Sequence, residues 1–162
     1  MKLTSDTGTK HVLFVCTANQ CRSVMAEWTF RDFAERNELA QVTVSSAGVA
    51  AFDGAAPTEN ALLVLQEHGI DASGHRATLL DRSLVEEATV VLGMTLAHVC
   101  AIASLGPDVE EKTFLLGEFS SDARLSDIDD PVGLSVEDYS GCLNAIESCF
   151  AGLMGHLLGG TA

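Results

Sequence analysis

The sequence predicts an α/β fold in which a single domain is built on an open, four-stranded parallel sheet with helices on both faces. Four short apolar runs of buried-strand length are separated by longer segments whose apolar residues recur at helical spacing. Strands that alternate with helices favour a parallel sheet. No repeat, low-complexity tract or linker divides the 162 residues, a length that fits one domain. We therefore expect a flexible N-terminal arm over residues 1–10 and one domain over residues 11–158.

The first half of the chain supplies two strands and two helices. Residues 11–15 are an apolar run that predicts the first strand, and residues 22–37 carry apolar side chains near helical spacing. The β-branched stretch within residues 41–46 predicts the second strand. The next helix opens at Pro57 and ends at Gly69, in the usual positions of these two residue types.

The second half supplies two more strands and a long helix. Residues 89–92 and 112–116 predict the third and fourth strands, with a helical stretch between them. The last helix is predicted over residues 136–157. Its core stripe consists of Tyr139, Leu143, Ile146, Phe150 and Leu153.

The chain is strongly acidic, with 23 Asp and Glu residues against 9 Lys and Arg residues and a formal net charge of −14 at pH 7. The basic residues are scattered, whereas contacts to nucleic acid and adhesion to anionic membranes both need clustered basic residues. We therefore expect neither nucleic acid nor a membrane as a partner. Any anion has to be bound at a local site, against the field of the whole molecule.

Cysteine usage and targeting signals indicate the cellular compartment of the protein. The polar N-terminal segment lacks the apolar stretch of a secretory signal, and no apolar run reaches the roughly 20 residues of a membrane span. The five cysteines are an odd number in a chain too large to need disulfides, and none has the spacing of a zinc site. We expect a cytoplasmic protein with free thiols and no metal.

The segment after the first predicted strand is the most informative part of the sequence. The strand ends at Val15, the loop runs from Cys16 towards Ser23, and a helix follows. In open α/β sheets ligands bind at the carboxyl ends of strands, and a loop entering a helix presents backbone N–H groups to an anion. The loop lacks glycine and the lysine of a nucleotide-binding P-loop, so it does not predict ATP binding.

Cys16 and Arg22 are separated by five residues and Ser23 follows, which is the C-x5-R-S pattern of phosphatases that act through cysteine. A loop of this length can encircle one phosphoryl group with Cys16 beneath the phosphorus, while Arg22 binds two oxygens in a bidentate geometry. The N–H groups and Arg22 favour the thiolate form of Cys16, to which Ser23 can donate a hydrogen bond. The alternative is a buried structural cysteine beside an arginine that begins a helix.

The stretch VLFVCTANQCRSVMAE resembles the opening strand, phosphate loop and first helix of the low-molecular-weight protein tyrosine phosphatase family. SSAG at residues 45–48, HGIDASGHRA at residues 68–77 and DDP at residues 129–131 resemble that family in the same order, so the resemblance covers nearly the whole chain. It implies the fold of the family and hydrolysis of phosphomonoesters through a cysteinyl-phosphate intermediate, with no cofactor. It also implies a phosphate-binding loop made of Thr17, Ala18, Asn19, Gln20, Cys21, Arg22 and Ser23.

The resemblance also implies roles outside the loop. Asp130, immediately before Pro131, is implied to protonate the leaving group and then to deprotonate the attacking water. The alternative for this segment is a solvated acidic loop before a helix start. By the same resemblance, Ser46 and His75 hold Asn19 and thereby fix the shape of the loop; His75 taken alone reads as a surface histidine.

Cys21 lies five residues from the expected nucleophile Cys16, which suits a reversible disulfide that protects the nucleophile from over-oxidation. The alternative is a small apolar residue on the first turn of the helix.

The sequence departs from the family pattern at several positions. Ala18 stands where glycine is usual and demands an ordinary backbone conformation there. Val132 and Gly133 follow the Asp-Pro pair where many members have aromatic residues, while Phe52 is left as one aromatic wall of the substrate site. Thr95 replaces a common aspartate, which weakens one supporting contact. The substrate is therefore left open between protein phosphotyrosine and a small phosphorylated metabolite.

Two other functions compete with the phosphatase. Arsenate reductases with a similar loop pass oxidation along two further cysteines near the middle of the chain, but residues 78–95 contain none and Cys100 alone is a poor relay. A non-catalytic phosphate-binding module is the other alternative. It needs neither the nucleophile Cys16 nor the acid Asp130.

Overall fold

The computed structural model describes residues 8–159, which form an α/β fold. Its four strands are β1 (Lys10–Cys16), β2 (Val42–Gly48), β3 (Val90–Gly93) and β4 (Thr113–Leu115). Its helices are α1 (Arg22–Arg36), α2 (Glu59–Glu67), α3 (Arg82–Glu87), α4 (Leu96–Ala103), α5 (Pro107–Glu110), α6 (Val136–Glu147) and α7 (Phe150–Leu157), with a 3₁₀ turn at Leu116–Phe119.

The four strands pair in the order β2-β1-β3-β4, and all three pairings are parallel. This confirms the predicted open, four-stranded parallel sheet. The chain passes from β1 to β2 on one side of β1 and then to β3 on its other side, so the strand order reverses at β1. Ligands of open α/β sheets bind at such a switch point, outside the carboxyl ends of the strands. Cys16 ends β1 at this point.

Helices cover both faces of the sheet, as predicted. Alternate residues of β1 enter two separate cores because successive strand side chains point to opposite faces. Phe14 packs on the face covered by α1, α2, α6 and α7, whereas Leu13 and Val15 pack on the face covered by α3, α4 and α5. The ring of Phe14 meets that of Phe30 edge to face, with centroids 5.7 Å apart. Burial of each such side chain contributes about 2 kcal/mol, which holds β1 and its carboxyl end rigidly in place.

Helix α2 ends just before Gly69, as predicted from this glycine. The helix stops at His68, and Gly69 adopts φ 76°, a left-handed conformation that favours glycine. The N–H of Ile70 donates to Leu65 O at 2.9 Å and that of Gly69 to Gln66 O, which is the Schellman pattern. The start of α2 differs slightly, since Thr58 is its N-cap and Pro57 precedes it.

The predicted single helix over residues 136–157 is wrong, because the chain breaks it into α6 and α7 at Ser148 and Cys149. The hydroxyl of Ser148 donates to Ala145 O at 2.6 Å, and its carbonyl accepts from Ser121 N at 3.2 Å. Serine side chains that bond the nearby backbone compete in this way with a continuous helix. The break lets α7 turn onto the 3₁₀ turn of the 116–119 segment.

One boundary and one helix also differ from the predictions. Lys10 already pairs with Val42 in the sheet, so the expected boundary between arm and domain after residue 10 falls inside β1. The rest of that arm, residues 1–7, lies outside the described residues. The short helix α3 was not predicted; it begins after Asp81, whose side chain accepts from Leu84 N at 2.9 Å. Within residues 8–159, no helix is long and apolar enough to cross a membrane.

Candidate active site

The loop between β1 and α1 has the predicted position at the carboxyl end of the central strands. Asn19 adopts φ 54°, a left-handed conformation that asparagine tolerates better than most residues. Ala18 does not share it, in agreement with the expectation of an ordinary backbone there. Helix α1 begins at Arg22 without a side-chain cap and without an acidic residue in its first turn. Its N-terminal N–H groups therefore suit an anion.

A chain of directed hydrogen bonds ends at the sulfur of Cys16, which is 2% exposed. The N–H of Thr78 donates to Asn19 Oδ1 at 3.0 Å, so the Asn19 amide nitrogen faces the loop. That nitrogen donates to the hydroxyl oxygens of Ser23 and Ser46, each at 2.8 Å. Because Ser23 Oγ accepts from Asn19, its own hydrogen is free to point at Cys16 Sγ, 2.9 Å away.

The other end of this chain is a buried carboxylate, Glu27. It accepts from Ser46 Oγ at 2.5 Å and from Arg31 at 2.6 Å, and its Oε2 lies 3.4 Å from His75 Nδ1. Burial alone would raise the pKa of Glu27, but the hydrogen bonds from His75 and Ser46 and the charge of Arg31 outweigh it and lower the pKa. His75 is buried rather than on the surface, and its Nε2 lies 3.3 Å from Asn19 O. Both residues expected to hold Asn19 therefore contact it.

Arg22 is buried beside the loop and 4% exposed. Its Nη1 donates to Ile128 O at 3.0 Å, and its Nη2 lies 3.3 Å from Asp130 Oδ2. Its Nε is buried without a hydrogen-bond partner among the described residues. A buried guanidinium donor without a partner is costly, and a phosphoryl oxygen would satisfy it.

Asp130 lies at the mouth of the loop, with 47% of its side chain exposed. Besides the ion pair with Arg22, its Oδ1 accepts from Val132 N at 3.1 Å and from Cys21 Sγ at 3.7 Å. The neighbouring Asp129 is exposed, and its carbonyl accepts from Cys142 Sγ at 3.7 Å. The structure thus brings Asp130 to the two loop residues Arg22 and Cys21.

The cysteines differ in their surroundings. Burial, together with the charges of Cys16 and Asp130, raises the pKa of Cys21 to about 12. Burial also raises the pKa of Cys142 to about 12. Both side chains are therefore thiols near neutral pH. Cys142 and Cys149 are buried core residues, as expected, and Cys100 is exposed.

The back of the loop rests on the end of β2. Val49 N donates to Cys16 O and Ala50 N to Thr17 O, each at 2.9 Å. A Cβ atom at Gly48 would lie 2.5 Å from Thr17 O and 2.8 Å from Asn19 N, so only glycine allows this approach. Two residues beyond Ala50, Phe52 has 84% of its surface exposed, on the segment expected to form a substrate wall.

Gln20 ties the loop to the segment before α2. Its side-chain amide donates to Ala56 O at 2.8 Å, and its carbonyl accepts from Thr58 N at 2.8 Å. The loop is therefore held from both sides, by the end of β2 and by the start of α2.

Two contacts of the site were not predicted. Thr17 Oγ1 lies 2.9 Å from His98 Nε2, and Asp127 Oδ1 accepts from Leu96 N at 2.9 Å. Thr95, which stands where the family commonly has aspartate, is the N-cap of α4 and forms a capping box with His98. The only signal in the sequence is Thr95 followed three residues later by a polar side chain, which marks a helix start but no contact to the loop.

These groups can carry out phosphoryl transfer. The sulfur of Cys16 lies at the first turn of α1. The buried guanidinium of Arg22 has a donor without a partner among the described residues, and the half-exposed carboxylate of Asp130 lies at the mouth of the loop. This combination defines the class of cysteine-dependent phosphatases, in which charge stabilisation comes from N–H groups and arginine.

Comparison with known proteins agrees with this class. Residues 11–159 match the family described as low molecular weight phosphotyrosine protein phosphatase. The chain belongs to this family, and it is a hydrolase that acts as a cysteine-dependent phosphatase.

Three relatives illustrate the similarity. A protein-arginine-phosphatase of Geobacillus stearothermophilus is 39% identical over 137 residues, 85% of this chain and 88% of the relative. The "Probable low molecular weight protein-tyrosine-phosphatase EpsP" of Ralstonia solanacearum is 39% identical over 122 residues, 75% and 78% of the two chains. A solved YwlE arginine phosphatase variant with a phosphorylated active-site serine is 36% identical, with a TM-score of 0.83 over 91% of this chain and 95% of that one. These relatives favour the phosphatase over an arsenate reductase or a non-catalytic module.

Proposed function

We propose that this protein removes phosphate from arginine side chains of phosphorylated proteins, with Cys16 as nucleophile, Arg22 as phosphoryl ligand and Asp130 as general acid. The Cys16 thiolate attacks phosphorus, the bond from phosphorus to the leaving nitrogen breaks, and Asp130 gives that nitrogen a proton. Arg22 and the N–H groups of the loop at residues 17–23 stabilise the charge on the phosphoryl oxygens.

The second step regenerates the enzyme. The Asp130 carboxylate takes a proton from water, the water oxygen bonds to phosphorus, and the sulfur–phosphorus bond breaks. The sulfur leaves as a thiolate, which the hydroxyl of Ser23 at 2.9 Å stabilises. Inorganic phosphate is released, and Asp130 is protonated again for the next cycle.

The observation that carries the choice of substrate is the acidic character of the mouth. Asp130 contacts the loop residues Arg22 and Cys21, and the exposed carboxylates of Asp127 and Asp129 belong to the same segment of the chain. The guanidinium of phosphoarginine carries a positive charge next to its phosphoryl group, whereas the ring of phosphotyrosine is neutral. The carboxylate of Asp130 and the acidic segment that carries it therefore complement phosphoarginine. The arginine phosphatases among the relatives support the same choice.

Protein phosphotyrosine is the second candidate. Phe52 is 84% exposed and can form one wall against an aromatic ring. Val132 and Gly133, the residues after Pro131, offer no second aromatic wall. A relative named as a tyrosine phosphatase supports this candidate, and a small phosphorylated metabolite would fit the same loop.

A direct comparison of substrates tests the proposal. Two peptides of identical sequence, one with phosphoarginine and one with phosphotyrosine, are offered to the enzyme and phosphate release is measured. We expect kcat/KM for the phosphoarginine peptide to be at least about 10-fold higher than for the phosphotyrosine peptide, because one good charge contact contributes about this factor. A higher kcat/KM for phosphotyrosine would overturn the choice of substrate. The Cys16→Ser variant serves as the blank for both peptides.

We also infer a cytoplasmic location for the protein. All five cysteines are free thiols, Cys16 and Cys21 of the loop among them, and such thiols persist in a reducing compartment. Fractionation of cells that produce the protein tests this inference, and recovery outside the cytoplasm would contradict it.

A further inference from the structure

His98 connects α4 to the phosphate loop although it lies outside the residues assigned to the reaction above. It occupies the first turn of α4 and is 4% exposed. Its Nδ1 lies 3.1 Å from Thr95 N and 3.1 Å from Thr95 Oγ1, and its Nε2 lies 2.9 Å from Thr17 Oγ1. Both ring nitrogens of this buried imidazole are thus engaged.

The contacts determine the tautomer of the ring. A backbone N–H can only donate, so Nδ1 of His98 must accept from Thr95 and carry no hydrogen. Burial and the positive charge of Arg22 lower the pKa of His98 to about 4, against the opposing charges of Asp127 and Asp130. The neutral ring therefore holds its hydrogen on Nε2 and donates it to Thr17 Oγ1.

This donation orients the hydroxyl of Thr17. Because Thr17 Oγ1 accepts from His98, its own hydrogen is left for another acceptor. Thr17 is exposed and follows Cys16 directly, at the start of the loop. Its hydroxyl is therefore held as a donor beside the position of the phosphoryl group.

The ring itself is rigidly placed. A Cβ atom at Gly93, the last residue of β3, would lie 3.1 Å from His98 Cβ, which shows how closely α4 approaches the sheet. The start of α4 is also fixed on its other side, since Leu96 N donates to Asp127 Oδ1 at 2.9 Å. Rigid support of this kind is what a positioning group needs.

We propose that His98 is a positioning residue that orients the Thr17 hydroxyl as a hydrogen-bond donor to the phosphoryl group bound above Cys16. The inference rests on the proposed function of the loop and deepens it. His98 acts only through Thr17 and does not touch the substrate.

Paired variants test the inference. His98→Leu removes the donor, whereas His98→Gln keeps an N–H group within reach of Thr17 Oγ1. Thr17→Val removes the hydroxyl, and Thr17→Ser retains it. We expect His98→Leu and Thr17→Val each to raise KM for p-nitrophenyl phosphate about 5-fold, with kcat within about 2-fold, because a contact made equally in ground and transition states affects KM. The conservative variants His98→Gln and Thr17→Ser should recover most of this lost apparent affinity.

The double variant is the decisive measurement. In the Thr17→Val background, His98→Leu should raise KM by less than about 2-fold, because its route to the substrate is already cut. If the two changes multiplied their effects on KM, the inference would be overturned. A fall in kcat together with a lower thermal unfolding midpoint would also overturn it and leave His98 as a support of α4.

A binding measurement separates this inference from the proposed function. Calorimetric titration of inorganic phosphate into the Cys16→Ser variant needs no turnover. We expect the added His98→Leu change to weaken phosphate binding about 5-fold, and unchanged affinity would refute the role of His98. Absence of hydrolysis by the wild-type enzyme would refute the proposed function, while the titration would still test His98.

Discussion

Arg22 Nη2 and Asp130 Oδ2 lie 3.3 Å apart, so the phosphate ligand and the acid of the proposed mechanism form an ion pair. Arg22 is 5% and Asp130 47% exposed at their side chains, so the pair lies at the boundary between the loop and solvent. A phosphoryl dianion that binds Arg22 competes with Asp130 for the guanidinium. We therefore expect substrate binding to release the Asp130 carboxyl group towards the leaving atom, where the proposed acid is needed.

Asp130 and its neighbour Asp129 provide a matched pair of variants. Asp130→Asn should lower kcat about 100-fold, because general acid catalysis contributes at least this much. Asp129→Asn should change kcat by less than about 3-fold, since its side chain is exposed and only its carbonyl contacts Cys142. The loss in Asp130→Asn should be larger for phenyl phosphate than for p-nitrophenyl phosphate, whose leaving group needs no proton. A larger loss in Asp129→Asn would show that the acid is assigned wrongly.

Gly48 provides a test of the support behind the loop. In Gly48→Ala the new Cβ would meet backbone atoms of residues 17–19 at 2.5 to 2.9 Å, so the loop must move. We expect kcat/KM to fall about 100-fold and stability to fall by about 1 to 3 kcal/mol. Gly155→Ala is the control, because its Cβ would meet nothing within 4 Å inside α7. Steady-state kinetics and denaturant unfolding measure the two effects, and normal activity of Gly48→Ala would contradict the close approach.

These examples show how far the sequence could predict the molecule. The strand, loop and helix around Cys16 are continuous in the chain. The local hydrophobic patterns and the spacing between Cys16 and Arg22 were therefore enough to locate them. The contact between Thr17 and His98 joins residues 81 positions apart and depends on how closely α4 packs against the sheet, which no local pattern encodes. The break at Ser148 was missed for a related reason, because its partner Ser121 lies in a distant loop.

The depressed pKa of His98 predicts how stability depends on pH. Burial and Arg22 lower this pKa from 6.5 to about 4 in the folded protein. Between these values the unfolded chain binds more protons than the folded one, so stability falls as the pH drops from about 6.5 to about 4. Burial lowers the pKa of His11 as well, which adds to the loss with the same sign.

Unfolding in urea at pH 7 and pH 5 measures this dependence. The wild-type protein should lose part of its free energy of unfolding between pH 7 and pH 5. His98→Gln should reduce this loss by about 1 kcal/mol, after allowance for residual solvent screening. An identical pH dependence in wild type and His98→Gln would contradict the prediction.

The pair Cys16 and Cys21 predicts the outcome of oxidation. Hydrogen peroxide converts the Cys16 thiolate to a sulfenic acid, which condenses with the Cys21 thiol to form a disulfide and water. Because the pKa of Cys21 is raised to about 12, this second step should accelerate as the pH rises. Intact-mass measurement should show the loss of two hydrogens in wild type and in Cys142→Ala. Cys21→Ala should instead give sulfinic acid at Cys16, and sulfinic acid in the wild type would refute the protection.

The acidity of the chain predicts how salt affects substrate capture. The net charge is −14, and the segment that carries Asp130, together with the first turn of α6, is rich in exposed carboxylates: Asp127, Asp129, Asp130, Glu137 and Asp138. A small dianion such as p-nitrophenyl phosphate approaches against this field, and salt screens the repulsion between them. We therefore expect kcat/KM for this substrate to rise about 2- to 5-fold between 10 and about 150 mM sodium chloride.

Substrate charge and two charge variants make this prediction specific. A phosphopeptide flanked by lysines should show the opposite trend, because screening removes an attraction, and acidic phosphopeptides should be poor substrates. Asp129→Asn, next to Asp130, should weaken the salt dependence for p-nitrophenyl phosphate, whereas Glu110→Gln, on α5 across the sheet, should leave it nearly unchanged. If kcat/KM for the dianion fell with added chloride, the surface field would not govern capture. If both variants behaved alike, only the net charge would matter. The expected difference between them would instead assign the effect to the carboxylates around Asp130.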